Sequence, residues 1–254
     1  MEFKSERVNE LHRSCLGNIH LIGRKNSFEI SLSKNKITLL SKYPSAQFEK
    51  WIQPCVTASS NFVYNQKYAL KNQLLSYMII SKKENKITAL IKIIDELNLS
   101  RSKDDFVLQK AMNIRIHSSQ VDAWNTLMYP PLFAPLVNMG SELCLFNHTM
   151  GYLEFFSFEG KTKRFVPITY HEDKKWQKQI LVDKATNKVY TVFKTKTGKA
   201  IYEINTQDGT IHSVLFFDCS FVEKMTIHRG YLFYLESGVT NDLRNRVLHR
   251  VKIQ

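Results

Sequence analysis

Hydrophobic and polar positions along this chain alternate in short runs, and the runs recur in a fixed order. In the C-terminal half, "QILVD", "KVYTVF", "AIYEIN" and "TIHSVLFF" follow one another with polar turns between them. β-Branched and aromatic residues at alternate positions suit a pleated, half-buried surface, so each run predicts a strand. "QILVD" is short and apolar, as expected of an inner strand buried on both faces. The turns are "TKTGK", where Gly198 offers a positive φ at little cost, and "TQDG", an Asp-Gly hairpin signal ending at Gly209.

The same order stands just upstream in "APLVNMG", "SELCLFN", "YLEFFSFEG" and "KTKRFVPITYH", with Gly151 and Gly160 at the second and third turns. It returns downstream in "VEKMTIHRG", "YLFYLES" and "RVLHRVKIQ", without a fourth strand. Two further copies occupy the N-terminal half, and their near-duplicates "NKITLL" and "NKITAL" mark equivalent hairpins. Asn35 and Asn85 suit the left-handed conformations such turns need. Third strands are predicted near Ser27, Ser76, Tyr152, Ala200 and Arg246, at gaps of about 49, 76, 48 and 46 residues.

The wide gap holds an insertion at 95–130. Ser102 followed by Asp105 predicts a helix start, and "DFVLQKAM" about two turns. A second short helix is predicted at "SAQFEKWI", capped by Ser45, with Phe48, Trp51 and Ile52 as one apolar stripe. The predicted fold class is all-β: a β-propeller of four-stranded antiparallel blades, about five in number, with a short helical insertion near 95–125. Blades fall at about 10–43, 52–94, 131–170, 177–218 and 221–254 of a single domain. Two closures are open: residues 1–8 supply the missing outer strand of a five-bladed ring, or the chain lacks an N-terminal portion of a six-bladed one. A β-sandwich is the structural alternative, because strand composition does not separate the two.

Composition narrows the class. Of 254 residues, 43% are hydrophobic and 12% aromatic, enough for a sizeable core. No apolar stretch reaches transmembrane length, and "MEFKSERVNELHRS" contains no signal-peptide core. The formal net charge is +13, yet lysines are dispersed among turns and no block reaches five like charges. That reads as a solvated surface and argues against nucleic acid as partner. The four cysteines, at 15, 55, 144 and 219, lack zinc or redox spacing. Cys15 and Cys55 hold similar places in successive copies; a buried free thiol is the expected state of each.

The stretches "CLGNIHLIGRKNSFEI", "IQPCVTASSNFVYNQKY" and "YPPLFAPLVNMGSELCLFNHTMGYLEFFSFEGK" resemble the six-bladed, NHL-like β-propeller proteins of Bacteroides and relatives. The resemblance covers most of the chain from about Cys15 onward. It implies a propeller of uncharacterised function, secreted or at the cell envelope, whose relatives are longer at the N-terminus. It implies that this chain lacks that portion and an export signal. It supplies no catalytic residues.

Motifs for chemistry are absent from the sequence. There is no phosphate-cradling glycine loop, no G-x-S-x-G elbow and no H-E-x-x-H helix; "HEDKK" lacks a second ligand at metal spacing. No metal, cofactor or catalytic residue is therefore assigned. On a propeller, one channel mouth would collect Trp51, Tyr68, Tyr129, Asn147, His148, Tyr170, His171, Trp176 and Asp218. Aromatic faces beside hydrogen-bonding groups suit a glycan or peptide. Each residue has a structural counter-reading: Trp51 and Trp176 as inter-blade anchors, His148 as a turn residue, His171 as part of a solvated loop beside Glu172. Asp183 is assigned to a turn. Arg115 and His117 belong to the insertion. The leading expectation is a noncatalytic binding or scaffold propeller presenting loops to a protein, peptide or glycan. The alternatives are a carbohydrate-active hydrolase or lyase on a propeller scaffold, and a basic surface that binds nucleic acid.

Overall fold

The alternating runs are strands, and each pairs antiparallel with its chain neighbours. The computed structural model describes residues 7–33, 36–111, 129–219, 221–237 and 246–253. They fall into two compact units, Met1–Leu132 and Phe133–Gln254. The first unit holds two four-stranded sheets: β1 (Val8–Arg13), β2 (Ile19–Gly23), β3 (Asn26–Ser33) and β4 (Lys36–Pro44), then β5 (Cys55–Ala58), β6 (Phe62–Ala69), β7 (Leu74–Ser81) and β8 (Ile87–Ile94). The second unit holds β9 (Leu136–Asn138), β10 (Leu143–Asn147), β11 (Tyr152–Phe156) and β12 (Thr162–Pro167) in one sheet. Its next sheet is β13 (Trp176–Asp183), β14 (Lys188–Lys194), β15 (Lys199–Ile204) and β16 (Ile211–Phe217). Its last is three-stranded: β17 (Val222–His228), β18 (Tyr231–Glu236) and β19 (Val247–Lys252).

Every sheet is a meander in sequence order, with no strand crossing into another sheet. That is the blade pattern, not the Greek-key exchange of a sandwich. The fold class is all-β, with five propeller blades. Third strands start at Asn26, Leu74, Tyr152, Lys199 and Val247, each close to its predicted position. The hairpin residues behave as their chemistry requires: Asn85 has φ 53° and Gly209 φ 78°. Asn35 lies outside the described residues. Gly198 is a correction, since its φ is not left-handed; a Cβ there would stand 2.2 Å from the Phe217 carbonyl oxygen. Close backbone approach, not turn conformation, demands that glycine.

Burial within a blade also departs from expectation. The strand containing "QILVD" is largely half-buried, whereas β14 is buried along its whole middle. The reason lies in packing on both faces. Val189 and Phe193 of β14 face Phe146, Leu153 and Phe155 of the preceding blade. Tyr190 and Val192, on the opposite face, meet Ile227, Leu232 and Tyr234 of the following blade. Period-two alternation thus serves two cores at once. A hydrophilic latch accompanies them: Asp183 accepts hydrogen bonds from the backbone N–H of Ala185, and of Arg229 and Gly230 in the next blade.

Both helices differ from prediction. The first, α1, spans Ser45–Trp51, but its N-cap position is Pro44 and no side chain caps it. Ser45 instead turns inward, donating to the Gly23 carbonyl and pairing with Ser27. Phe48 is buried, while Trp51 is 58% exposed, so the predicted stripe breaks there. The insertion helix, α2, spans Glu96–Ala111 and begins well before Ser102. Its cap is Asp95, which receives the Asn98 backbone N–H on one carboxylate oxygen and the Asn98 amide on the other. Arg115 and His117 lie outside the described residues. Cys144 and Cys219 are free and buried. The free-thiol expectation fails for Cys15 and Cys55, which form a disulfide with Cα atoms 5.7 Å apart. Cys15 lies in the turn between β1 and β2 of one blade and Cys55 opens β5 of the next, within bridging distance.

Candidate functional site

In the second unit, residues 133–176 gather an aromatic and imidazole cluster. His148 follows β10, and its main chain turns there. Its Nδ1 lies 2.9 Å from the Phe133 carbonyl oxygen and its Nε2 2.9 Å from the Tyr170 hydroxyl. A carbonyl only accepts, so Nδ1 carries the proton and Nε2 accepts from Tyr170. The ring lies 4.5 Å from Trp176 and 5.6 Å from His171, centroid to centroid. Burial pulls its basicity down to about 4; the Phe133 contact opposes this, and His171 and Lys178 add to it. Trp176 donates its indole N–H to Thr191 Oγ1 at 2.7 Å, and Thr191 passes a hydrogen bond to the Gln179 carbonyl. His171 is half-buried, its basicity also lowered by burial against the pull of Glu172, and its Nδ1 is buried without a partner among the described residues.

Of the residues expected at one mouth, this unit therefore brings together His148, Tyr170, His171 and Trp176. His148 is a turn residue, as expected, but it is 8% exposed and its ring is fully hydrogen-bonded, so it belongs to the core. His171 is not in a solvated loop. Asn147 is buried beside His148 but spends its carboxamide oxygen on the Met150 N–H. Asp218 stands apart, accepting from Thr197 at the turn between β14 and β15. Phe133, stacked on His148 at 5.4 Å, was not foreseen from sequence. Nothing local distinguishes it within "YPPLFAP".

In the first unit, Tyr68 donates its hydroxyl to the Leu132 carbonyl at 3.0 Å. Gln73 donates to the Tyr129 carbonyl, and Tyr129 is buried. Both tyrosines thus secure the segment leading out of the insertion. Trp51 occupies different ground. It lines a cavity of about 380 Å³ between the two blades of this unit, together with the Cys15–Cys55 disulfide. Three polar side chains of the lining are at least nine-tenths buried: Ser14 at 7% exposure, His20 at 2% and Asn65 at 7%. Ser14 Oγ, His20 Nε2 and Asn65 Oδ1 have no hydrogen-bond partner among the described residues. The other nitrogen of His20 pairs with the Tyr43 hydroxyl. Burial lowers the basicity of His20, with Glu29 opposing and His12 reinforcing.

A buried polar group left unpaired costs on the order of 1–3 kcal/mol, so Ser14 Oγ, His20 Nε2 and Asn65 Oδ1 weigh against the stability of this unit. Sequence reading missed Ser14, His20 and Asn65. The available signal was a polar residue among apolar neighbours of a strand, as in "NIHLIG", where His20 is buried; Asn65 gives none, because it and the adjacent Tyr64 are buried on opposite faces. Among the described residues no group of three or more His, Cys, Asp or Glu side chains is placed to hold a metal ion.

No protein-family model matches this chain, and no curated protein matches it. Solved structures do. A luciferin-regenerating enzyme is 10% identical, with a TM-score of 0.46 over 94% of this chain and 75% of its own. A streptogramin B lyase is 13% identical, with a TM-score of 0.40 over 97% of this chain and 69% of its own. A putative 6-phosphogluconolactonase from Bacteroides fragilis is 12% identical, with a TM-score of 0.36 over 95% and 86%. Likeness this distant says nothing about chemistry. The expected Bacteroides-type, six-bladed NHL-like family has no matching family model behind it, and five blades are described where that family has six.

Proposed function

We propose that this chain is a noncatalytic binding propeller that captures a small ligand in the first-unit cavity beside Trp51. The observation that carries the reading is the cavity itself, about 380 Å³ between two blades, with Trp51 58% exposed among its lining residues. The disulfide in the cavity wall fits an oxidising compartment. Together with the stretches that resemble the NHL-like propellers of Bacteroides, it supports an envelope or secreted location.

One observation favours the hydrolase or lyase alternative. His171 is a neutral imidazole with an unpartnered nitrogen, 5.6 Å from His148. His148 itself has no nitrogen to spare, and a base alone does not make the paired acid and base such reactions use. The deciding experiment incubates the purified chain with glycan and peptide arrays and recovers the ligands for mass spectrometry. Saturable retention of intact ligand is expected. A time-dependent cleavage or elimination product, abolished by His171→Ala, would move the chain to the enzymatic class.

A further inference from the structure

We infer that the Cys15–Cys55 disulfide is a redox latch on the seam between the first two blades: a dithiol reductant opens it, and the seam parts while the sheets of the second unit stay folded. The latch is independent of what the adjoining cavity binds.

Position comes first. Cys15 lies in the turn between β1 and β2, and Cys55 opens β5, so the bond ties one blade to the next across 40 residues of chain. Breaking it frees the opened state from a long-loop constraint. Access comes next. Both cysteines are half-buried and line the cavity of about 380 Å³, whereas Cys144 and Cys219 are buried in the second unit. A small dithiol therefore reaches the bond without unfolding the chain. An acceptor for the reduced product is already in place. The Thr57 carbonyl oxygen lies 3.5 Å from Cys55 Sγ. A disulfide sulfur has no hydrogen to offer it, and a Cys55 thiol has.

The seam that the bond holds shut gains from opening. Ser14 precedes Cys15, His20 follows on β2, and Asn65 stands opposite Cys55 in the β5–β6 register. Ser14 Oγ, His20 Nε2 and Asn65 Oδ1 are closed off from solvent and unpartnered among the described residues. Parting the seam hydrates all three, a gain that a wholly apolar interface lacks. The second unit offers the contrast. Its seams pack Phe146 and Leu153 against Val189 and Phe193, and Val192 against Ile227 and Leu232, with both of its cysteines free. The chemistry of opening balances. One thiolate of the dithiol attacks a sulfur of the bond and forms a mixed disulfide. The second thiol then displaces the protein sulfur, and the reductant leaves as a cyclic disulfide. Two electrons and two protons pass to Cys15 and Cys55, which become thiols.

The test treats the full chain with dithiothreitol under native conditions. Thiol alkylation and amide hydrogen exchange, both read by mass spectrometry, follow the response. Cys15→Ala with Cys55→Ala, without reductant, is the permanently open comparison; reduction of the folded wild type carries the test on its own. The expected result is alkylation of Cys15 and Cys55 with Cys144 and Cys219 protected. Exchange should then be roughly tenfold faster in β1, β2, β5 and β6, and unchanged in β10, β11, β14 and β15. The double variant should show the same pattern and gain nothing from dithiothreitol. Alkylation of Cys15 and Cys55 with exchange unchanged overturns the latch. A bond that resists dithiothreitol until the chain is denatured overturns it too. Exchange accelerated equally in all five blades would mean a global loss of stability and overturns the local opening.

Discussion

At the scale of single residues, burial decides what each imidazole can do. His148 is locked neutral by a carbonyl on one nitrogen and a hydroxyl on the other, deep among aromatic rings. Its pKa falls from the ordinary 6.5 to about 4, so the folded state binds fewer protons than the unfolded chain between those values. Stability from this residue is complete above about pH 6.5 and is lost as pH falls toward 4, a change of roughly 3 kcal/mol. His20 and His171 shift in the same direction and steepen the loss. Urea denaturation at pH 7 and at pH 4.5 measures it; equal unfolding free energies at the two values would contradict the account. His148→Ala should likewise destabilise the fold, because it leaves the Tyr170 hydroxyl and the Phe133 carbonyl without their partner.

At the scale of elements, repetition was the legible signal. Alternation located the strands, and glycines or asparagines located the turns, because both are dictated by local sterics. The start of α2 was misread because Asp95 and Asn98 cap each other reciprocally, while the Ser-x-x-Asp pattern at Ser102 merely lies inside the helix. Trp51 was legible as a site candidate, and Ser14, His20 and Asn65 were not. Their meaning depends on which atoms lack partners after two blades meet, and that is a tertiary fact. Inter-blade packing also sets the cost of substitutions at turns. Gly209, at φ 78°, ends the hairpin before β16, and a Cβ there would stand 1.9 Å from the Pro167 carbonyl of the preceding blade. Gly209→Ala combines left-handed strain with a backbone clash and should cost at least about 2 kcal/mol. Thermal unfolding checks this; a melting temperature equal to wild type would show that the two blades do not approach as described.

At the scale of the whole molecule, no single blade can bury both faces of its own sheet, so neighbours must supply the second core. In the second unit the two cores on opposite faces of β14 meet that need. In the first unit a covalent bond joins the blades across forty residues of chain. Closing a loop of that length is worth about 4 kcal/mol in the chain-entropy account. Cys15→Ser with Cys55→Ser should therefore lower the unfolding free energy by an amount of that order. A denaturant midpoint unmoved by the double substitution would contradict the bond's role. Dispersed lysines under a +13 net charge predict heparin and nucleic-acid retention that is lost at physiological salt, and retention that survives it would contradict the expectation of a solvated surface.

The binding function stands or falls on where a ligand sits. Titration of a ligand retained on the glycan and peptide arrays into the isotope-labelled chain, followed by nuclear magnetic resonance, reads that directly. Saturable shifts concentrated at the Trp51 indole and at the cavity-lining Asn18 and Ile52, with the Trp176 indole unmoved, are the predicted outcome. Shifts centred on Trp176 and the segment around His148 and His171, or no saturable shift at any concentration, would contradict it.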